Sequence, residues 1–123
     1  MPFVHQETVR FRDLDAMGHL NNAVYSTFLE QARLAYLEPQ GARVRSMILA
    51  RLEIDFRSPV ELGETVAISV MPTRVGTKSF DLEYVLTVGD RTVAEAKTVL
   101  VAYDYENAQS MEIPTKWKER LAA

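Results

Sequence analysis

Apolar and polar residues alternate along most of the second half of the chain. From Phe80 to Val88 nearly every second residue is apolar, with Asp81, Glu83 and Thr87 as the polar residues between them. A period of two is typical of a β-strand with one buried face. The alternation predicts five strands, over residues 3–12, 48–56, 66–70, 80–88 and 91–104.

A different period appears after the first strand. Apolar residues recur at steps of three and four, the spacing of one helical face: Val24, Tyr25, Phe28, Leu29, Ala32 and Tyr36. This spacing predicts a helix from about Asn22 to Leu37, with Asn21 or Asn22 as its N-cap. The run Glu38-Pro39-Gln40-Gly41 should end it, and Ile113-Pro114-Thr115 should open a short terminal helix.

Turn signals connect these segments closely. Gly89-Asp90 predicts a two-residue hairpin turn, residues 75–78 predict another turn, and short turns imply antiparallel neighbours. The predicted order is strand, long helix, four strands and short helix. It favours an α+β fold in which the long helix packs on one face of an antiparallel five-stranded sheet.

The composition narrows the class of protein. The chain has 123 residues, 47% of them hydrophobic, and a formal net charge of −3, which fits one domain over residues 1–123 and argues against non-specific nucleic-acid binding. No stretch reaches the ~18 apolar residues of a membrane span. With no cysteine and no signal-peptide pattern, we expect a cytoplasmic protein. His5 has no partner in the sequence, so no metal site is predicted.

The segment from Phe11 to Arg33 carries the candidate chemistry. Its sequence, F-R-D-L-D-A-M-G-H-L-N-N-A-V-Y-S-T-F-L-E-Q-A-R, is an acidic loop leading into the start of the long helix. Open N–H groups and the helix dipole favour negative charge at a helix N-terminus. Acyl transfer needs a carboxylate to attack or to activate water, and donors for the developing oxyanion.

This segment resembles a known family. Asp15, three residues, then His19-Leu20-Asn21-Asn22, Tyr25 and Glu30 closely resemble the 4-hydroxybenzoyl-CoA thioesterase-like branch of the HotDog superfamily, and also the Asp-x-x-x-His-x-Asn-Asn signature of acyl-carrier-protein thioesterases. The resemblance implies a HotDog fold, with the sheet wrapped around the helix. It also implies a homodimer with the active site between subunits, and dimers often paired into a homotetramer.

The resemblance implies an acyl-CoA thioesterase that releases a small aryl or alkyl acid, with a CoA or carrier-protein thioester as substrate. It needs no cofactor, because coenzyme A is part of the substrate. Two alternatives stay open: a HotDog hydratase or dehydratase acting on acyl thioesters, which the Asn21-Asn22 pair disfavours, and a non-catalytic acyl-CoA binding module.

Three catalytic roles follow from the resemblance. Asp15 matches the catalytic carboxylate, as nucleophile or general base, although a loop aspartate often forms only an Asx turn. His19 matches a histidine of the carrier-protein enzymes and either transfers protons or orients groups. Asn22 would offer its backbone N–H to the oxyanion, and it could also be merely the N-cap. Asp13 is expected to be structural.

Six residues are predicted to contact the substrate. Gly18 would permit an unusual backbone angle and a close approach to the thioester, and Tyr25 would line an acyl tunnel or belong to the core. Glu30 matches the carboxylate of a second HotDog branch, but because Asp15 is present a solvated helix glutamate, or one paired with Arg33, is the favoured interpretation. The others lie near strand ends or turns, where Arg57 and Lys78 could bind CoA phosphates and Thr77 belongs to a possible substrate-lining loop.

Overall fold

The computed structural model describes residues 2–38 and 46–123. Over these residues the chain order is β1 (Phe3–Thr8), a short 3-10 helix (Phe11–Asp13), α1 (Asn22–Leu37), β2 (Met47–Phe56), β3 (Thr65–Val75), β4 (Ser79–Val88), β5 (Arg91–Asp104), β6 (Gln109–Ser110) and α2 (Thr115–Ala122). Both ends of α1 lie where the periodicity predicted them. The predicted stop after Glu38, at residues 39–41, lies outside the described residues.

The strands form one antiparallel sheet in the order β1-β3-β4-β5-β2, and β6 pairs with the end of β5. The five predicted strands are therefore present, and the short β6 is an addition. Helix α1 packs against β1 and β3 and lies across one face of the sheet. The predicted α+β fold class is confirmed; a single domain over residues 1–123 stays a prediction.

The core lies between α1 and the inward face of the central strands. The alternation in β3 and β4 places one set of side chains there, each at most 1% exposed: Val66, Ile68, Val70, Phe80, Leu82, Tyr84 and Leu86. From α1, Phe28, Leu29 and Ala32 pack against them. Trp117 of α2 closes one end, with its ring 6.1 Å from that of Phe80.

The first strand is shorter than predicted. It ends at Thr8, and the chain turns into the 3-10 helix, where Phe11 is 81% exposed and not on a buried strand face. The turn is stabilised because the backbone N–H of Arg10 donates to the carboxylate of Asp13. This side-chain acceptor offers the backbone an alternative to sheet pairing.

Strand β2 is present, but its predicted buried face is covered only in part. Among the described strands it lies at the edge of the sheet and pairs only with β5, and Leu52 and Phe56 are 36% and 48% exposed. A register shift between Leu49 and Arg51 also breaks the alternation at Ala50. Periodicity therefore identified an amphipathic strand correctly, but within the described residues its apolar side is covered only in part, where Ile54 packs against the core and Phe56 against Tyr25.

Among the described residues, no helix has both the length and the apolar character needed to cross a membrane.

Candidate active site

A buried carboxylate anchors the loop between β1 and α1. Asp13 is 4% exposed and accepts hydrogen bonds from the backbone N and the Nε of Arg10, at 2.9 and 3.2 Å. Burial raises the pKa of Asp13, but the hydrogen bonds and charge of Arg10 outweigh it, so the pKa lies below its ordinary value. The carbonyl of Asp13 in turn accepts from the N–H of Asn21 at 2.9 Å. Asp13 therefore fixes the approach to α1.

Asp15 lies at the centre of a tight turn. Its Oδ1 accepts the backbone N–H groups of Met17 and His19, at 2.9 and 3.1 Å, and its own N–H donates to the carbonyl of His19 at 2.7 Å. Gly18 closes the turn with φ at +81°, a left-handed angle that glycine adopts at little cost. The Oδ2 of Asp15 accepts no hydrogen bond from a described residue. One carboxylate oxygen thus builds the turn, and the other is available.

Helix α1 begins at Asn22, directly after its N-cap. Asn21 is the N-cap, and its Oδ1 accepts the N–H of Ala23 at 2.9 Å. Asn22 is the first helical residue, so the alternative in which Asn22 is the cap is wrong. The N–H of Asn22 donates to no described residue, whereas that of Val24 donates to the carbonyl of Asn21. An open N–H at a helix start is the donor that an oxyanion site requires.

These groups line one cleft of about 320 Å³. Its walls come from the Asp15 turn, the start of α1 and the segment after β2: Asp15, Met17, His19, Leu20, Asn22, Tyr25, Phe56, Arg57, Ser58 and Pro59. The turn is held against the third wall because the N–H of Leu20 donates to the carbonyl of Val60 at 2.7 Å. A larger hollow of about 410 Å³ lies between β1, α1 and α2, but no Asp, Glu or His side chain of the described residues lines it. Asp15, His19 and the start of α1 share the smaller cleft.

His19 lies in the cleft without contacting Asp15 through its side chain. Its ring is half-buried and makes no hydrogen bond with a described residue, while its backbone bridges to Glu61. The ring is therefore free to meet a bound molecule. It is not part of a preformed hydrogen-bonded pair with the carboxylate.

The third wall was not predicted from sequence. Phe56, Ser58 and Pro59 line the cleft because the chain after β2 pairs with β5, where the N–H groups of Arg57 and Ser58 both donate to the carbonyl of Val93. Only Arg57 had been named, as a phosphate ligand; its side chain lies 3.4 Å from the carboxylate of Glu95. The break at Ser58-Pro59 was visible in the sequence, but its place beside α1 depends on strand pairing over a long sequence distance.

Three predicted substrate contacts lie outside this cleft in the single chain. Glu30 is on α1, eight residues after Asn22 and so about 12 Å away along the axis, with its side chain 55% exposed and 3.9 Å from Arg33. Thr77 and Lys78 accept hydrogen bonds from Ile113 and Ala102. Ala102 pairs with the first residue of β2, whereas Phe56 is the last.

The turn at Thr77 and Lys78 therefore lies at the far end of β2, about 25 Å from the cleft. Gly18 belongs to the Asp15 turn but does not itself line the cleft. Among the described residues, no group of three or more His, Asp or Glu side chains is arranged to hold a metal ion.

The sequence profile of the thioesterase-like superfamily matches residues 9–121, which is nearly the whole chain. The chain belongs to the thioesterase-like superfamily. The 1,4-dihydroxy-2-naphthoyl-CoA hydrolase of Nostoc punctiforme is 28% identical over 97% of this chain and 88% of the relative. The long-chain acyl-CoA thioesterase FadM of Escherichia coli is also 28% identical, over 94% of each chain.

Among solved structures, a thioesterase of Thermus thermophilus complexed with coenzyme A and Zn is 32% identical, with a TM-score of 0.86 over 98% of this chain and 97% of that one. The predicted family is confirmed, and so are the HotDog fold and the class of enzyme, a thioester hydrolase.

Proposed function

We propose that Asp15 and the start of α1 hydrolyse an acyl-CoA thioester to a free acid and coenzyme A. One observation carries the proposal: the unused Oδ2 of Asp15 and the open N–H of Asn22 belong to residues that line the same cleft. A carboxylate oxygen and an amide donor are the two groups that thioester hydrolysis requires.

The thioester carbonyl would bind with its oxygen facing the N–H of Asn22. As the tetrahedral intermediate forms, negative charge develops on that oxygen. The open N–H and the positive end of the α1 dipole both stabilise it. The donor is a backbone group whose position is set by the Asn21 cap and the Asp13 anchor, so it needs no rearrangement during the reaction.

Asp15 would act on the carbonyl carbon through Oδ2. It either attacks the carbon directly, giving an acyl anhydride that water then opens, or takes a proton from a water that attacks. In both routes the C–S bond breaks, coenzyme A leaves as the thiol and water supplies the new oxygen of the products. His19 also lines the cleft, where it would orient the substrate or carry a proton. The proposed reaction uses no cofactor beyond the coenzyme A of the substrate.

Family membership favours hydrolysis over the two alternatives. The named relatives are a naphthoyl-CoA hydrolase and a long-chain acyl-CoA thioesterase, so a hydratase, a dehydratase or a non-catalytic binding module is the weaker proposal. Their acyl groups are aromatic in one case and aliphatic in the other. We therefore propose a small aryl or alkyl acyl group without choosing between them. We propose CoA as the carrier ahead of a carrier protein. Arg57, which lines the cleft, would bind a phosphate of CoA.

We further propose a homodimer that joins two copies along β2. The strand has 10 residues and pairs on one side only with the other strands that the structure describes, so its outer edge offers a row of backbone donors and acceptors to another strand. Leu49, Leu52 and Phe56 on it are 36–48% exposed, so covering them with a second copy would remove apolar surface from water.

Antiparallel pairing of two β2 strands would place the Met47 end of one copy beside the Phe56 end of the other. The Thr77-Lys78 turn, at the far end of its own sheet, would then lie near the partner's cleft. This geometry accounts for the predicted roles of Thr77 and Lys78 through a second copy. A homotetramer and a cytoplasmic location stay predictions of the sequence.

The decisive experiment is Asp15→Asn. Asparagine keeps an oxygen that can accept the Met17 and His19 amides, so the turn and the fold should persist, while the negatively charged oxygen is lost. We expect kcat on a panel of aryl- and alkyl-CoA esters to fall on the order of 100-fold or more, with the unfolding midpoint within about 2 °C of wild type.

The matched control is Asp81→Asn, which removes a carboxylate that pairs with Arg74 away from the cleft. It should hydrolyse the panel at the wild-type rate. Undiminished turnover in Asp15→Asn would reject the assignment, and so would an equal loss in the control.

A further inference from the structure

Three tyrosines have less than about a tenth of their surface exposed, and one of them differs from the others. Tyr36 donates its hydroxyl to the carbonyl of Arg120 at 3.1 Å, and the hydroxyl of Tyr84 lies 2.7 Å from that of Thr98. Tyr25 is only 3% exposed, yet its hydroxyl forms no hydrogen bond with any residue that the structure describes. Among the described residues, the only fully buried side-chain N or O atom without a partner is Arg33 Nη1, so the Tyr25 hydroxyl stays open to a partner from the cleft although its ring is buried.

The position of Tyr25 on α1 suggests where that partner belongs. Tyr25 is three residues after Asn22, so both lie on the same face of α1 one turn apart. Side chains of helical residues lean toward the helix N-terminus, so the phenol is expected on the Asn22 side of its own Cα. Both residues line the cleft, together with Asp15.

The ring is held in place by packing. The ring of Phe56, on the opposite wall, meets that of Tyr25 edge to face, with centroids 4.9 Å apart and an angle of 83° between planes. An edge-to-face pair stabilises a defined ring orientation. A fixed ring with a free hydroxyl is the arrangement of a preorganised donor.

The hydroxyl is protonated at the pH where thioesters are hydrolysed. Burial raises the pKa of Tyr25, and the nearby Arg91 guanidinium offsets this only in part. The group therefore donates a hydrogen bond and does not accept a proton.

We propose that the Tyr25 hydroxyl is a second hydrogen-bond donor to the thioester carbonyl oxygen, beside the N–H of Asn22. The inference rests on the proposed thioester hydrolysis. Tyr25 makes no covalent bond and keeps its proton; it stabilises the negative charge that develops on the oxygen when the carbonyl carbon is attacked. The carboxylate of Asp15 and this hydroxyl would thus act on the carbon and the oxygen of the same carbonyl group.

The test is Tyr25→Phe, with Tyr36→Phe as matched control. Removing one oxyanion donor lowers kcat on the order of 100-fold, so we expect that fall for Tyr25→Phe, with KM changed less than about threefold and an unchanged unfolding midpoint, because no hydrogen bond to a described residue is lost. Tyr36→Phe should do the reverse: a lower unfolding midpoint, since it loses the bond to Arg120, and a wild-type kcat.

A second measurement separates a lost donor from a disturbed cleft. A thioether analogue of acyl-CoA has no carbonyl oxygen, so wild type and Tyr25→Phe should bind it with equal Kd. Weaker binding of the thioether by the variant, in proportion to the loss of kcat, would overturn the inference, as would a wild-type kcat in Tyr25→Phe. If the wild-type protein hydrolyses no thioester, the proposed function itself fails; an active wild type with an equally active variant refutes only the role of Tyr25.

Discussion

Replacing Asn21 with alanine should destabilise the protein, whereas replacing its neighbour Asn22 should not. The Oδ1 of Asn21 accepts the N–H of Ala23 at 2.9 Å, and alanine cannot replace that bond. Loss of such a cap costs about 1 kcal/mol of unfolding free energy. The side chain of Asn22 makes no hydrogen bond with a described residue, and its backbone N–H survives the substitution, so Asn22→Ala should cost close to nothing.

The two variants should also differ in activity. A frayed first turn would displace the N–H of Asn22 from the carbonyl oxygen, so kcat/KM of Asn21→Ala should fall several-fold, whereas Asn22→Ala should keep most of its kcat. Urea unfolding at one fixed protein concentration measures the stability, because a dimer makes the midpoint concentration-dependent. Hydrolysis of one acyl-CoA ester measures the activity. The assignment of the cap would be refuted if Asn22→Ala lost as much unfolding free energy as Asn21→Ala.

Three further predictions concern the edge of the sheet and the end of α1. Leu52→Lys should convert the dimer to monomer in sedimentation, while Val4→Lys on the opposite edge strand should not; a dimeric Leu52→Lys would contradict pairing through β2. Glu38 accepts the Nε1–H of Trp117 at 3.0 Å and pairs with Lys116, so Glu38→Leu should cost about 2 kcal/mol by leaving a buried donor without its acceptor, and Glu38→Gln should cost less. The contribution of Glu38 should also depend on pH. Burial raises its pKa, but the hydrogen bonds from Lys116 and Trp117 outweigh that, so the pKa is lower in the folded protein than in the unfolded chain. The stabilisation is therefore complete above the unfolded pKa and is lost as the pH falls through the folded value. The difference in unfolding free energy between wild type and Glu38→Gln should shrink toward zero in acid.

The helix α1 and most of the strands could be predicted because the patterns that define them lie within short stretches of the sequence. The bounds of α1 follow from its periodicity and from short polar residues at its start, and the strands β4 and β5 follow from alternation between clear turn residues. The burial of β2 could not be predicted in the same way. Alternation at Leu52 and Phe56 shows that a strand has an apolar side, but not which element, or which molecule, covers that side.

The residues of the candidate site also differ in whether a local pattern could predict them. Asp15, His19 and Asn22 lie within eight residues of one another, so a single local motif predicts them together. Phe56 and Ser58 reach the cleft only through the pairing of β2 with β5, which no local pattern encodes. Thr77 and Lys78 lie at the far end of the sheet, and in our proposal they meet the cleft only when a second chain is added.

The two oxygens of the Asp15 carboxylate have different roles, and this difference offers a way to identify the natural substrate. One oxygen stabilises the loop, and the other is available to the bound molecule. The Asp15→Asn variant should therefore bind an acyl thioester without hydrolysing it. When this variant is incubated with a metabolite extract, the thioester that it retains should carry the natural acyl group intact, and mass spectrometry would identify that group. The separate roles of the two oxygens of one side chain thus connect the conformation of the Asp15 turn with the identity of the bound acyl group.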